Sequence, residues 1–215
     1  MTQNCFIENS FFSHNSNDQI LIAGVDEVGR GALFGSVVAA VVVLPLSAVP
    51  DLKEIGVKDS KCLSSKKRHS LIEPIKHTVS EYQIAEVSAA EIDCLNIHYS
   101  SLLAMKRAVA ALKTKPTLCL VDGKFLIPNL TVAQKTIVQG DSKSLAIAAA
   151  SILAKVWRDD LIIRLDSQYP QYDLANNKGY PTAKHKLALQ TYGVCSQHRQ
   201  SFAPCRNLKI CNIDK

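Results

Sequence analysis

The chain has 215 residues, of which 47% are hydrophobic and 20% charged, and a net charge of +6 at pH 7, which suits one globular domain with a sizeable core. Its longest apolar run, positions 37–46, is too short to span a bilayer, and no secretory leader pattern opens the chain. Seven scattered cysteines without a C-x-x-C pair argue against a zinc site or a disulfide framework. We therefore expect a cytoplasmic protein that does not enter membranes, and the basic excess favours an anionic partner without establishing one.

Residues 1–19 are rich in Asn and Ser and show no sustained period, so we expect a poorly ordered extension in which a short segment could dock. The apolar run 20–25 then predicts a buried strand that delivers Asp26 and Glu27 at its end. Neighbouring side chains on a regular strand point to opposite faces, so both acids can share one site only if the backbone bends there. The glycines that follow permit such a bend.

Carboxylates beside an arginine and two glycines, as in DEVGRG, are the groups needed for metal-assisted chemistry on phosphate esters. Asp-Glu after a strand is also common in solvated turns, so this segment alone leaves the function open. Farther on, hydrophobic periodicity and capping signals predict alternating strands and helices. The predicted strands are 20–25, 34–44, 79–87, 117–121 and 136–138, and the predicted helices are 66–77, 88–112, 142–165 and 182–192.

Strands followed by helices in this order predict an α/β fold, with a mixed central sheet flanked by the two long helices. Ligands of such sheets bind outside the carboxyl ends of the strands. Asp26, Glu27, Asp122 and Asp141 all follow predicted strand ends. Singly, Asp122-Gly123 also suits a turn and Asp141 also suits a helix N-cap. Because the acids come from three separate segments, we expect them to share a metal site.

The segment after the last long helix is loop-like and contains Tyr169, Tyr172 and Tyr180 among cations. Rings among cations suit stacking on a sugar or base beside phosphate contacts. The alternative is that tyrosines pack the loop onto the domain, which we expect of two of the three. Positive charge at 184–186 and 198–199 indicates that the basic excess is concentrated at this end of the chain.

Several segments, in order along the chain, carry a family pattern. They are GVDEVGRG (24–31), KDSKCLS (58–64), EIDCLNI (91–97), LLAMKRAV (102–109), LVDG (120–123), QGDSKSLAIAAASILAKVWRD (139–159), KGYPTAKH (178–185) and HRQSFAP (198–204). Together they resemble ribonuclease HII, the type 2 ribonuclease H. The resemblance implies a ribonuclease H-like fold with a C-terminal helical segment. The implied catalytic domain spans 20–167, and 168–215 contributes to substrate binding.

The resemblance also implies a function. Proteins of this family hydrolyse the RNA strand of RNA–DNA hybrids and incise 5′ of ribonucleotides embedded in duplex DNA, leaving a 3′-hydroxyl and a 5′-phosphate. The implied cofactor is Mg²⁺ or Mn²⁺, as two ions whose coordination the substrate phosphate completes. The implied partner is therefore a hybrid or ribonucleotide-containing duplex, the implied role is ribonucleotide excision repair, and a monomer is the default expectation.

Position by position, the resemblance assigns roles to nine residues. The family's catalytic and metal-binding carboxylates fall on Asp26, Glu27, Asp122 and Asp141. The substrate-binding positions are Gly29, Arg30 and Gly31, which read the ribose 2′-hydroxyl, Tyr180, which stacks on the sugar following the ribonucleotide, and Lys61, in a segment that approaches the substrate backbone.

The chain departs from the family pattern at five positions. Ala32, Phe34 and Ser36 stand where Pro, Ala and Pro are common, so we expect a less rigid loop that is bulkier at Phe34. Lys124 and Gln139 replace a frequent Asn and a frequent Lys. One cation has in effect moved near the site, which changes the expected phosphate contacts.

Two other hypotheses remain at this point. A DNA nuclease or junction resolvase of the wider ribonuclease H-like group needs clustered acids but no 2′-hydroxyl reader, so cleavage of all-DNA duplexes would favour it. A non-catalytic hybrid-binding protein would bind without metal and form no product. The intact acids argue against it, because a pure binder gains nothing from carboxylates that face phosphate.

Overall fold

The computed structural model describes residues 7–11 and 20–210. The strands in these residues form one mixed sheet in the spatial order β3-β2-β1-β4-β5. β1 is antiparallel to β2 and parallel to β4, and β4 is parallel to β5. The carboxyl ends of β1, β4 and β5 therefore meet at one edge of the sheet. The strands are β1 (Leu21–Val28), β2 (Val37–Pro45), β3 (Glu81–Val87), β4 (Leu118–Asp122) and β5 (Gln134–Ile137).

Helices cover both faces of the sheet, which confirms the predicted α/β architecture. One face, including Ile22 and Leu120, packs against α6, and the other, including Ala23 and Val121, packs against α4. The helices are α1 (Val49–Glu54), α2 (Ser65–Thr78), α3 (Ala89–Leu95), α4 (Ile97–Ala110), α5 (Gly140–Lys143), α6 (Leu145–Asp166), α7 (Leu174–Asn177) and α8 (Ala183–Tyr192). Within the part of the chain described here, these helices are too short or too polar to cross a membrane.

Small residues bring α6 against the central strand. A Cβ atom at Gly24 of β1 would lie 2.1 Å from the carbonyl carbon of Ala146 and 2.4 Å from the amide nitrogen of Ile147. Only glycine permits this approach of helix backbone to strand backbone. The fully buried run of β2, from Val37 to Leu44, follows from the same layering, because both faces of that strand are covered.

The predicted strands are confirmed, with ends shifted by a few residues, but both long helices are interrupted. The helix predicted at 88–112 begins with the expected capping box of Ser88 and Glu91 and ends at Leu95. Asn96 then adopts φ 68° and accepts hydrogen bonds from the backbone of His98 and Tyr99, which starts α4. Asn tolerates this left-handed conformation better than most residues do.

The second long helix is split in a way that matters for the site. Asp141 lies inside the short helix α5, so the alternative role of helix N-cap does not apply to it. Ser144 caps α6 instead, accepting a hydrogen bond from the backbone of Ile147. After β2 ends at Pro45, the chain continues into α1, where Pro50 occupies the first turn and needs no N–H donor.

A third apolar cluster attaches the C-terminal segment to the loop after β1. Phe34 is fully buried and meets Tyr169 edge to face at 5.5 Å. Tyr172 is also fully buried, so two of the three loop tyrosines pack the loop as expected. His198 and Arg199 are buried as well. Arg199 therefore carries its positive charge inside the fold rather than on the surface.

Residues 7–11 form a short 3-10 helix within the predicted N-terminal extension. Glu8 is fully buried, and its Oε1 atom accepts hydrogen bonds from Ser144 Oγ at 2.7 Å and from the Ala146 N–H at 3.2 Å. Phe11 lies under the ammonium group of Lys135, 4.2 Å from ring centroid to Nζ. This segment therefore docks onto the start of α6, whereas the remainder of the predicted extension, 1–6 and 12–19, lies outside the described residues.

We expect Glu8→Ala to destabilise the protein by about 1–3 kcal/mol, because it removes the acceptor of two buried donors at the start of α6. Urea unfolding at neutral pH measures this change. The control is Ser10→Ala in the same segment, whose hydroxyl donates only to the Ile7 carbonyl and whose loss should cost less than about 0.5 kcal/mol. Equal unfolding midpoints for the two variants would contradict the contribution of Glu8.

Candidate active site

Three carboxylates converge at the edge where β1 and β4 end. One carboxylate oxygen from each of Asp26, Glu27 and Asp122 lies within 4.8 Å of the other two. The strand does not break to achieve this, because β1 stays paired with β2 through Val28. The predicted bend at the acids is therefore wrong. The Asp26 side chain instead folds along the strand and accepts a hydrogen bond from the Glu27 N–H at 2.7 Å.

Asp141 lies beside this cluster but is not one of its three members within the described residues. Asp122 Oδ1 accepts a hydrogen bond from the Gly140 N–H at 2.6 Å, which joins the end of β4 to α5. Asp141, the next residue, is only 5% exposed and binds Lys61 Nζ through Oδ2 at 2.6 Å. The structure thus brings three of the four predicted acids together and pairs the fourth with a predicted substrate-binding lysine.

The acid cluster is electrostatically unfavourable without a cation. Burial raises the pKa of Asp26 well above its usual value, and the charges of Glu27 and Asp122 raise it further. Burial also raises the pKa of Glu27 to about 7, although Arg30 opposes the shift. Burial raises the pKa of Asp122, against the effect of the Gly140 N–H. A group of carboxylate oxygens under this strain fits hard divalent cations such as Mg²⁺ and Mn²⁺.

Arg30 and Lys61 place positive charge on either side of the cluster. Arg30 Nη1 lies 3.6 Å from Glu27 Oε1 and donates to Ser101 Oγ at 2.8 Å. The Lys61 side chain is 78% exposed although its ammonium group contacts a buried carboxylate. Its hydrogen bond to Asp141 raises the pKa of Lys61. Both cations are therefore positioned to contact an anionic ligand that reaches the acids.

Two buried arginines hold the loop that follows β1. Arg158 of α6 donates to the carbonyls of Phe34, Ser36 and Lys178 at 2.9–3.0 Å. Arg199 donates to the carbonyls of Arg30 and Gly35, both at 2.9 Å.

Burial lowers the pKa of Arg158, and it lowers the pKa of Arg199 to about 9. Arg199 thus remains charged at neutral pH while bonded to loop carbonyls. The sequence analysis did not identify either arginine as a residue that positions the loop. A usable signal existed for Arg158, because it lies four residues from Ala154 and from Ile162, both fully buried on α6.

The two glycines of the loop have different structural requirements. Gly29 adopts φ +92°, and a Cβ atom there would lie 2.2 Å from Arg158 Nε. A Cβ atom at Gly31 would meet nothing within 4 Å. Gly29 is therefore required by the protein itself, whereas Gly31 leaves open space for a ligand beside the acids.

The predicted departures in this loop do not face the site. Ala32 and Phe34 are fully buried, and Ser36 Oγ donates to Glu86 Oε2 at 2.7 Å. The bulk of Phe34 does not enter the site, because its ring belongs to the C-terminal core. Gln139 adopts a left-handed conformation, φ 56°, before α5, and Lys124 is exposed beyond β4.

Tyr180 lies on the α6 side of the acids, with its ring centroid 5.4 Å from Lys155 Nζ. A chain of hydrogen bonds holds its backbone. The Cys195 N–H donates to Nδ1 of His198 at 3.1 Å, so His198 carries its proton on Nε2 and donates to Nε2 of His185 at 3.1 Å.

His185 then donates from Nδ1 to the Tyr180 carbonyl at 3.0 Å. Burial lowers the pKa of His185, which agrees with a neutral ring. These two histidines also escaped the sequence analysis as positioning residues.

The acid cluster lies at the carboxyl ends of the strands of a mixed sheet, beside a glycine-arginine-glycine loop. This arrangement is the one expected of a nuclease of the ribonuclease H class. A family model described as ribonuclease HII matches residues 23–205. The chain belongs to the ribonuclease HII family, and it is a ribonuclease H, a hydrolytic enzyme.

Known proteins show the same relationship. The chain is 55% identical to ribonuclease HII of Trichormus variabilis over 191 residues, which cover 89% of this chain and 85% of that protein. Among solved structures, ribonuclease H2 of Pyrococcus horikoshii OT3 matches with a TM-score of 0.76 and 27% identity, over 87% of this chain and 96% of that one. Bst-RNase HIII in complex with Mn²⁺ shares the fold with a TM-score of 0.69 at 17% identity, over 88% of this chain and 69% of that one.

We expect Asp26→Asn to stabilise the metal-free protein, because a neutral side chain of the same shape keeps the oxygen that accepts from Glu27 and removes buried charge repulsion. A gain of about 1 kcal/mol would raise the melting temperature by about 2–4 °C in a chain of this size. Thermal unfolding in a chelator measures it. The control is Glu54→Gln, an exposed acid on α1, which should leave the melting temperature unchanged; a lower melting temperature for Asp26→Asn would contradict the repulsion argument.

Proposed function

We propose that this enzyme hydrolyses the RNA strand of RNA–DNA hybrids and incises 5′ of ribonucleotides embedded in duplex DNA, leaving a 3′-hydroxyl and a 5′-phosphate. The observation that supports this most is the convergence of Asp26, Glu27 and Asp122 within 4.8 Å, beside a loop whose Gly31 is open to a ligand. The first feature suits phosphodiester hydrolysis and the second suits close approach to a ribose.

The proposed cofactor is a pair of Mg²⁺ or Mn²⁺ ions, held by Asp26, Glu27, Asp122 and Asp141. When bound, such ions activate water and stabilise the leaving 3′-oxygen of an in-line displacement. The chain's own contribution is the charge of the carboxylates, whose mutual repulsion the ions relieve. Since phosphate oxygens complete the coordination, we expect weak metal binding in the absence of substrate.

The Lys61 side chain makes a contact in the structure, and we propose a second one with the substrate. Its ammonium group now neutralises Asp141 at 2.6 Å, and its mostly exposed side chain is free to turn toward a phosphate of the substrate backbone. Asp141 would then be available to a metal ion. This exchange explains why the fourth acid stands apart from the other three in the present structure.

The chemical group by which a protein can distinguish RNA from DNA is the ribose 2′-hydroxyl. In the proposal, backbone N–H and C=O groups of 29–31 bind that hydroxyl, and Tyr180 stacks on the following sugar. Arg158 and Arg199 already bind carbonyls of this loop, including that of Arg30, which leaves its surface shape defined before substrate arrives. Within residues 7–11 and 20–210, no observation favours an all-DNA nuclease, which would need no such reader.

The decisive test is cleavage of a labelled DNA duplex that contains one ribonucleotide, with Mg²⁺ or Mn²⁺. We expect a single cut 5′ of the ribonucleotide, and its loss in Asp122→Asn by a factor of about 100 or more, the effect typical of removing one electrostatic contact to a transition state. Asn keeps an acceptor for the Gly140 N–H, so a folding defect is not expected.

Glu54→Gln serves as the matched acid control and should cleave like the wild type. Cutting of all-DNA duplexes at the same rate would contradict the proposed 2′-hydroxyl reading. Binding of hybrids without any product, with or without metal, would contradict the proposed reaction.

Gly31→Val separates substrate reading from folding. Because a side chain at position 31 meets open space, we expect stability within about 0.5 kcal/mol of the wild type but much weaker cleavage at an isolated ribonucleotide. Metal binding, followed by calorimetry, should change less than cleavage does. Gly29→Ala is the contrasting variant, and it should lose stability because of the contact with Arg158. An equal loss of metal binding and cleavage in Gly31→Val would rule out the reading role.

A further inference from the structure

A cavity of about 170 Å³ opens beside the acid cluster on the α4 side of the sheet. It lies directly against two of the clustered acids, so a ligand held there would continue into the candidate active site. Its walls include Glu27 and Asp122, the cations of Arg30 and Lys124, and the rings of His98 and Phe125.

Aromatic surface is concentrated at this cavity. His98 and Phe125 meet edge to face with ring centroids 4.6 Å apart, and Tyr99 lies 5.2 Å from His98. The side chains of Phe125 and Tyr99 are 58% and 59% exposed. An open ring next to cations is suited to stacking on a base or sugar while a phosphate is bound beside it. Phe125 and Tyr99 are not part of the protein core, so core packing does not explain why aromatic residues stand at these positions.

The cavity and Tyr180 lie on opposite sides of the acids. The Tyr180 ring contacts Lys155 and Arg158, both on α6. The cavity is formed against α4, and α4 and α6 cover opposite faces of the sheet. The acids lie at the sheet edge between the two. A nucleic-acid strand that crosses the acids therefore meets Tyr180 on one side and the cavity on the other.

We propose that this cavity binds the nucleotide on the 5′ side of the scissile phosphate, with Phe125 stacking on its base and Lys124 contacting its phosphate. The inference rests on the proposed function, in which Tyr180 takes the sugar that follows the ribonucleotide and thus assigns the 3′ side. His98 supports the Phe125 ring edge to face. Lys124, which replaces a frequent Asn of the family pattern, then supplies a cation on the 5′ side of the cut.

The test compares Phe125→Ala with the wild type on a duplex that contains one ribonucleotide. We expect KM to rise about tenfold, the range of one lost base stack, with little change in kcat. Phe125 is exposed, so the fold should not change. The control is Tyr192→Ala, which removes a ring of similar exposure, 52%, that does not line this cavity; its KM should equal that of the wild type.

A substrate with an abasic site immediately 5′ of the ribonucleotide identifies the stacked base. The KM of the wild type should rise about tenfold on this substrate. The KM of Phe125→Ala should rise no further, because the base that stacks on the ring is already absent. An abasic site on the 3′ side should weaken both enzymes by the same factor.

If the Phe125→Ala substitution and the 5′ abasic site each raised KM and the two factors multiplied, the proposed subsite would be overturned. An unchanged KM for Phe125→Ala would also overturn it. Either result leaves the proposed function intact, because the wild type still cleaves. A wild type that cleaves none of these duplexes would instead overturn the proposed function and, with it, this subsite.

Discussion

The loop after β1 depends on two guanidinium groups buried without a carboxylate among the hydrogen-bond partners described for them. Arg158 and Arg199 bind carbonyls on both sides of Phe34, and Arg158 also binds the Lys178 carbonyl just before Tyr180. Burying a charge costs free energy unless hydrogen bonds compensate it. Here the compensation is the loop itself. The same two side chains therefore hold the glycine loop, the start of the C-terminal segment and the central helix in one arrangement.

The clustered acids differ from the two arginines, because their burial is not compensated in this way. Burial and neighbouring charges raise the pKa values of these carboxyl groups. Burial and neighbouring charges disfavour the ionised forms of Asp26 and Asp122, and the protein retains both carboxyl groups against that cost. Strained polar clusters of this kind are typical of functional sites rather than of structural ones. Asp141, which is not one of the three clustered acids, is paired with Lys61. One cation from a distant loop thus does for the fourth acid what metal ions are proposed to do for all four.

The sequence predicts those parts of the fold and site that local chemistry determines. A strand followed by acid is visible at Asp26 and Asp122 because apolar runs precede both. The break at Asn96 is not visible, since the apolar stripe continues on both sides of it and no Gly or Pro marks it. The pairing of Lys61 with Asp141 joins residues 80 apart in the chain, and Arg158 reaches carbonyls 122 and 124 positions away. Periodicity carries no information about such partners.

The histidine pair shows how the C-terminal segment can position a substrate contact without touching substrate. Each imidazole has one donor and one acceptor, so the N–H of Cys195 determines the tautomer of His198, and His198 determines that of His185. A second proton on His185 would face the Nε2–H of His198 at 3.1 Å, and a second proton on His198 would face the Cys195 N–H at 3.1 Å. The neutral state is therefore the one that fits. The buried pair consequently directs one N–H at the Tyr180 carbonyl, on the α6 side of the acids, while α4 presents its rings on the other.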